Sequence, residues 1–201
     1  MEFHPLTVPG CYLLRPRLLR DTRGSFYEAF KEPDVAEAVG RPFTPRQVNY
    51  SVSRRGVLRG IHSVLLPPGQ AKIVTCHRGV VRDIVVDIRL GSPTFGVHDV
   101  NVLRAEEGAS VFVPEGVGHG FVALTDDACV GYLCSTPYVP GTPLDIDPLD
   151  PELALPWGTK CDPIMSQKDA QAPTVAAAAQ AGLLPTYEEC LAWYERMRTE
   201  G

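Results

Sequence analysis

Short apolar-rich runs separated by glycine and proline dominate the chain between Arg46 and Thr136, and one of them, RQVNYSVS, alternates apolar and polar residues. Alternation with a period of two places successive side chains on opposite faces, which is the pattern of a half-buried strand. Arg46–Ser53, Ala71–His77, Val80–Ile88, Ser110–Val113, Gly120–Leu124 and Cys129–Thr136 are the strand candidates. In RQVNYSVS, Gln47, Asn49 and Ser51 share one face, while Val48, Tyr50 and Val52 share the other. A polar face of that kind suits a barrel whose interior binds something polar. Turn signals fall at Arg78-Gly79, Glu107-Gly108 and Pro114-Glu115-Gly116. Many short strands at regular spacing point to a sandwich or barrel.

The tail reads differently. Thr174–Ala181 is alanine-rich and stops at Gly182. Thr186 and Glu189 form a capping-box pattern ahead of a helix that runs to about Arg198. Tyr187, Leu191, Tyr194 and Met197 recur at helical spacing, a stripe expected to pack on the barrel or on a partner subunit. With 201 residues and no linker or internal repeat, the chain is expected to form one domain, a barrel over about 1–165 with a helical tail over about 166–201.

A net charge of −5 argues against a general nucleic-acid binder, and no apolar run approaches the ~20 residues of a membrane helix. The N-terminus MEFHPLTVPG lacks the charged and apolar regions of a signal peptide, so a cytoplasmic location is expected. Six scattered cysteines form no CxxC pair and read as small buried apolar residues.

The chemistry gathers in GVLRGIH and the following QAKIVTCHRG, which bring Arg59, His62 and Lys72 onto adjoining strands. One group titrates near neutral pH and two are cationic, so together they can hold an anion and move a proton. In a regular strand Arg59 and His62 face opposite sides, unless Gly60 breaks it. PEGVGHGF carries P-x-G-x-x-H, the spacing of the second motif of cupin barrels. Metal-binding cupins supply two histidines one residue apart in the first motif, where this chain has His62-Ser63-Val64. His62 and His119 alone make a poor transition-metal site, so no metal is expected. Taken singly, His62 reads as a satisfied core histidine and Tyr132 as a packed phenol, whereas the largely apolar strand AKIVTC favours an inward Lys72 over a solvated one. Asp83 could hold Lys72 or a histidine in place, and a structural ion pair is its plainer role. His4, His77 and His98 read as surface or structural.

The blocks DTRGSFYEAF, QVNYSVS, GVLRGIH, GQAK, DIVVDIRLGSPTFG, VPEGVGHGF, LTDDACVGYLCSTPY and SQKDAQAP follow in order from Asp21 to Pro173. Jointly they resemble the dTDP-4-keto-6-deoxyhexose 3,5-epimerases. That resemblance implies an all-β cupin jelly-roll barrel with a short helical C-terminal tail, a homodimer with shared active sites, and no cofactor. It implies a dTDP-linked 4-keto-6-deoxyhexose as substrate, whose ketone acidifies the protons on carbons 3 and 5. It assigns the base to His62, the orienting carboxylate to Asp169, the proton donor to Tyr132 and the ketone's electrophilic partner to Lys72. Arg23, Gln47, Asn49, Arg59, His119 and Lys168 match its substrate-binding positions. Arg23, Phe26 and Glu28 lie in the block that reaches into the partner's site in that family, with Phe26 near the base and Tyr138 a second base contact.

Two stretches depart from the rhamnose-pathway pattern. An aromatic and a glutamine usually follow the catalytic histidine, where this chain reads HSVLLPPGQ, and a glutamate usually stands where it has Pro143. With the tail QAGLLPTYEECLAWYERM, these features resemble the epimerases of antibiotic deoxysugar pathways. Epimerisation at carbons 3 and 5 is the favoured expectation, with action at carbon 3 alone (or carbon 5) second. A metal-dependent cupin oxygenase and a non-catalytic sugar-nucleotide-binding cupin are the readings from other classes.

Overall fold

Thirteen short segments of the chain pair into ladders because their β-branched and aromatic residues pack on pleated faces. The computed structural model describes residues 1–159 and 161–200. The strands are β1 (Glu2–Pro5), β2 (Tyr12–Arg15), β3 (Leu19–Asp21), β4 (Gly24–Phe26), β5 (Gln47–Ser53), β6 (Leu58–Val64) and β7 (Lys72–Arg78). They continue with β8 (Val80–Val86), β9 (His98–Arg104), β10 (Ser110–Val113), β11 (Gly118–Ala123), β12 (Ala128–Cys134) and β13 (Pro143–Asp145). Helices are α1 (Glu32–Val39), α2 (Gln167–Ala170), α3 (Val175–Gln180) and α4 (Tyr187–Glu200).

One antiparallel sheet runs β1-β2-β10-β7-β12-β5 and the other β13-β6-β11-β8-β9, with β3-β4 a separate hairpin. The sheets pack face to face: Val74, Cys76, Val111 and Val130 of the first meet Val81, Val85, Leu103 and Phe121 of the second. The outer face of the second sheet is buried too. Leu58, Ile61, Ile84 and Val122 pack there against Leu153, Trp157, Val175 and Ala178 of the C-terminal segment. Helix α1 covers part of the first sheet, with Val35 and Phe43 over Leu14, Ile73 and Phe112.

The mainly β reading is what the structure shows, but the expected closed barrel is not. No ladder links the two sheets among the described residues, so the body is a sandwich of two sheets. Strand β9 was invisible in the pattern for a physical reason. Its valines Val100 and Val102 face solvent at 43% and 41% exposure while Asn101 faces inward, the reverse of an ordinary edge strand. The turns at Gly79, Gly108 and Gly116 all adopt positive φ, as their sequence signals require.

The tail is held by its cap and by buried ion pairs. Thr186 and Glu189 exchange backbone and side-chain hydrogen bonds, closing the expected capping box of α4. Arg89, bound to Asp87 by two 2.8 Å hydrogen bonds, stacks on Tyr187; Arg41, paired with Glu115, stacks on Tyr194. Leu191 departs from the expected stripe: it is 48% exposed, and Cys190 takes the buried position beside it. All six cysteines are free thiols, four of them buried, although Cys161 is exposed.

Gly60 sets the phase of β6. His119 pairs with His62 but Phe121 pairs with Arg59, so β6 carries one extra residue opposite Gly120. The bulge lets Leu58 and Ile61, three residues apart, enter the same core, while Arg59 and His62 both face the space between the sheets. At φ 130° a β-carbon on Gly60 would lie 2.6 Å from the Gly120 Cα and 2.9 Å from the His119 carbonyl oxygen. Gly60→Ala should therefore lower unfolding stability by about 3 kcal/mol or more. Urea denaturation read at constant m-value checks this, and a loss below about 1 kcal/mol would show that the bulge relaxes.

Candidate active site

A cavity of about 350 Å³ opens where β5, β6 and β7 end beside the loop carrying Tyr138. Gln47, Asn49, His62, Lys72, Tyr138 and Lys168 line it, together with Ser63, Gln70 and Asp145. Six residues expected from the sequence thus share one wall, although they come from strands and a helix far apart in the chain. The reason is register. Gln47 and Asn49 take the inward face of β5, whereas Val48, Tyr50 and Val52 are left 51–65% exposed on the outer face.

His62 is held from the tail. Its Nε2 donates a 2.8 Å hydrogen bond to Oδ1 of Asp169, which leaves Nδ1 as the nitrogen with a free lone pair. Asp169 sits in the first turn of α2, where Ser166 Oγ caps its backbone N–H at 3.0 Å. In SQKD the acidic residue could have closed a capping box, but its carboxylate turns to the imidazole instead. Burial pushes the Asp169 carboxyl up, yet the His62 hydrogen bond and charge, with the Ser166 hydroxyl, outweigh it and hold the group below the usual aspartate range.

Tyr132 points inward from β12, packed beside Val130 in the inter-sheet core. Its ring meets that of His119 edge-on at 6.3 Å between centroids. Burial drives its phenol well above the ordinary tyrosine range; Asp83 adds to this and Ser51 and Arg59 oppose it. The group therefore remains a neutral phenol. Ser51 Oγ, on the inward face of β5, is buried and makes no well-formed hydrogen bond among the described residues. Arg59 Nε donates to Ser53 Oγ at 3.0 Å.

His119 lies behind the cavity at 3% exposure, its Nε2 within 2.5 Å of Asp83 Oδ2. Of the two roles open to Asp83, the structure realises the histidine partner, and Lys72 has no ion pair among the described residues. Burial pulls the Lys72 ammonium below the ordinary lysine range; Cys134 and Asp145 oppose this and Lys168 assists it. Around the rim, Gln47 accepts from the Tyr138 backbone at 2.7 Å and donates to Asn49 at 2.9 Å.

Arg23, Phe26 and Glu28 are not brought to this cavity. Arg23 pairs with Asp21 in the β3-β4 hairpin, and Phe26 is 68% exposed. Phe26 and Glu28 line a separate hollow with Arg17 and Lys31. Sequence reasoning missed Asp145, which lies 2.9 Å from Lys168 Nζ and 3.8 Å from His62 Nε2. Its strand is three residues long, too short for a periodic signal. Among the described residues, no three His, Cys, Asp or Glu side chains group to hold a metal, and no helix is long and apolar enough to cross a membrane.

A family model described as dTDP-4-dehydrorhamnose 3,5-epimerase matches residues 5–177. A curated dTDP-4-dehydrorhamnose 3,5-epimerase of Mycolicibacterium smegmatis is 46% identical over 198 residues, covering 98% of this chain and 98% of that protein. Among solved structures, ChmJ, a 3'-monoepimerase from Streptomyces bikiniensis in complex with dTDP-quinovose, superposes with a TM-score of 0.94 at 42% identity, covering 98% of this chain and 99% of that one. NovW, a 4-keto-6-deoxy sugar epimerase from the novobiocin gene cluster of Streptomyces spheroides, gives 0.92 at 47% identity, covering 94% and 95%. Sequence and fold together define an isomerase acting in the sugar-epimerase class, which displaces the oxygenase reading. The chain belongs to the dTDP-4-dehydrorhamnose 3,5-epimerase family.

Asp169→Asn should destabilise the protein at neutral pH by about 1–3 kcal/mol, the range of a charge-assisted hydrogen bond. A carboxyl whose folded pKa is depressed stabilises above its unfolded pKa and loses that contribution as pH falls through the folded value. The gap between parent and variant should therefore close below about pH 4. Chemical denaturation across pH measures it, and a gap that persists at low pH would point to packing instead.

Proposed function

We propose that this protein epimerises a dTDP-linked 4-keto-6-deoxyhexose at carbons 3 and 5 without a cofactor. The observation that carries the reading is the His62–Asp169 pair facing a cavity that also holds Lys72. Nδ1 of His62 takes a proton from a carbon beside the ketone, and the bonding pair moves into an enolate. The enolate oxygen takes its stabilisation from the Lys72 ammonium in a partly desolvated site. Asp169, held as a carboxylate, steadies the imidazolium that forms. Tyr132, kept neutral by burial, returns a proton on the other face and inverts the centre. Arg59, Gln47, Asn49, Tyr138, His119 and Lys168 serve the nucleotide and sugar, with guanidinium and ammonium groups suited to a diphosphate.

In this reading the two-sheet sandwich is a cupin jelly roll. The enzyme is cytoplasmic and serves antibiotic deoxysugar synthesis, a setting favoured by its likeness to NovW. Action at carbon 3 alone is the second reading, favoured by the likeness to the monoepimerase ChmJ.

Incubation with dTDP-4-keto-6-deoxyglucose in deuterated water, followed by proton NMR, separates these readings. Deuterium is expected at both carbons; at carbon 3 alone it supports the monoepimerase, and no exchange overturns the proposal. His62→Asn should reduce exchange by about 10²–10⁴-fold while dTDP still binds. Tyr132→Phe should reduce net inversion more than exchange, and equal losses would assign the acid elsewhere.

Arg23, Phe26 and Glu28 complete the partner's site in a homodimer, a role consistent with their distance from the cavity in their own chain. Sedimentation should give a dimer, and Arg23→Ala should raise KM. An active monomer would rule out the shared site.

A further inference from the structure

We propose that Asp145 is a positioning residue for His62, a second carboxylate beside the imidazole that is itself paired with Lys168. The inference rests on reading His62 as the base. It starts from the register of two strands. Ile61 and Ile146 exchange backbone hydrogen bonds of 3.0 and 2.9 Å across β6 and β13, and Leu65 donates to Thr142 at 2.8 Å. His62 and Asp145 are therefore a non-hydrogen-bonded cross-strand pair, the kind whose side chains approach most closely. Leu144 between Pro143 and Asp145 is buried in the core, so a one-residue slip would bury the carboxylate and expose the leucine. The fold thus presents Asp145 to His62 by construction.

The contact is electrostatic. Asp145 Oδ1 lies 3.8 Å from His62 Nε2, beyond a hydrogen bond, while Asp169 Oδ1 holds the same nitrogen at 2.8 Å. Asp145 Oδ1 also accepts from Lys168 Nζ at 2.9 Å. Lys168 and Asp169 are neighbours on α2, so the helix backbone closes a cycle through Asp169, His62, Asp145 and Lys168. The Asp145 side chain is only 18% exposed, whereas that of Lys168 is 61% exposed. A charge so sheltered acts on its neighbours with less screening than one at the surface. When His62 carries the abstracted proton, its Nε2 edge faces two carboxylates, one bonded and one through space. Among the described residues, Lys72 of β7 and Tyr138 after β12 line the same cavity, and Tyr132 and Cys134 of β12, His119 across the β6–β11 pair and Arg59 on β6 itself are the further charged or titratable groups on the strands around it.

Opposite-signed variants test the cycle. The His62 ring protons are titrated by NMR in the parent, in Asp145→Asn and in Lys168→Gln, without substrate. Removing the negative charge should lower the His62 midpoint by about half a pH unit or more. Removing the positive charge should raise it by a smaller amount, and the acid limb of kcat/KM should follow in each direction. Midpoints unchanged in both variants, or moved the same way in both, would overturn the proposal even if activity fell. Should the parent exchange no substrate proton, the proposed reaction fails, while the ring titration still decides the role of Asp145.

Discussion

The hydrogen bond from His62 to Asp169 joins residues 107 positions apart, and the surrounding architecture is what keeps it at 2.8 Å. An imidazole on a strand facing solvent would rotate freely. Here β6 is fixed between β13 and β11, and the tail is tied to its start by the Leu58 and Ile164 backbone groups, 2.9 Å apart. Helix α2 follows directly, capped by Ser166, and so delivers Asp169 with little freedom. In the proposed reaction, a base whose orienter is locked before substrate arrives needs no rearrangement at the moment of proton transfer.

The Gly60 bulge does comparable work on the other side of the strand. Without the extra residue, the pleat would send Arg59 and His62 to opposite faces. With it, the strand contributes Leu58 and Ile61 to one core and both polar side chains to the space between the sheets. The same bulge brings Gly60 against Gly120, where only two residues lacking a β-carbon fit. His119, one residue before Gly120, thereby comes opposite His62. Farther out, Arg41 and Arg89 pin α4 through buried carboxylates and tyrosine faces. Such pairs contribute little net stability, but removing one partner would strand a buried charge at a cost of about 3–5 kcal/mol. Because Glu115 belongs to the turn that leads into β11, the clamp also steadies the strand bearing His119.

Much of this was legible along the chain. Period-two alternation marks β5, apolar-rich runs bounded by turn signals mark β7, β8 and β12, glycine marks the turns, and Thr186 with Glu189 marks the start of α4. Strands β9 and β13 escaped because one carries its valines outward and the other is too short to show a period. Closure was misjudged as well: alternation reports which faces are buried, and a sandwich and a barrel bury the same faces. The site followed a similar division. His62, Lys72, Asp169 and Tyr132 stand out through motif blocks, while Asp145 belongs to no block and becomes visible only opposite His62.

Local pattern along the chain fixes the inward face of β5, the caps and turns, and the identity of the chemical groups, because each depends on neighbours within a few residues. Which groups meet is a property of the folded molecule. It gave Asp83 to His119 and left Lys72 without an ion pair among the described residues. It placed two carboxylates on His62 and set Arg23 apart from the cavity. Those outcomes depend on sheet order, on register and on one extra residue at Gly60. Contacts between residues far apart in sequence follow from how the sheets stack, which no local pattern encodes.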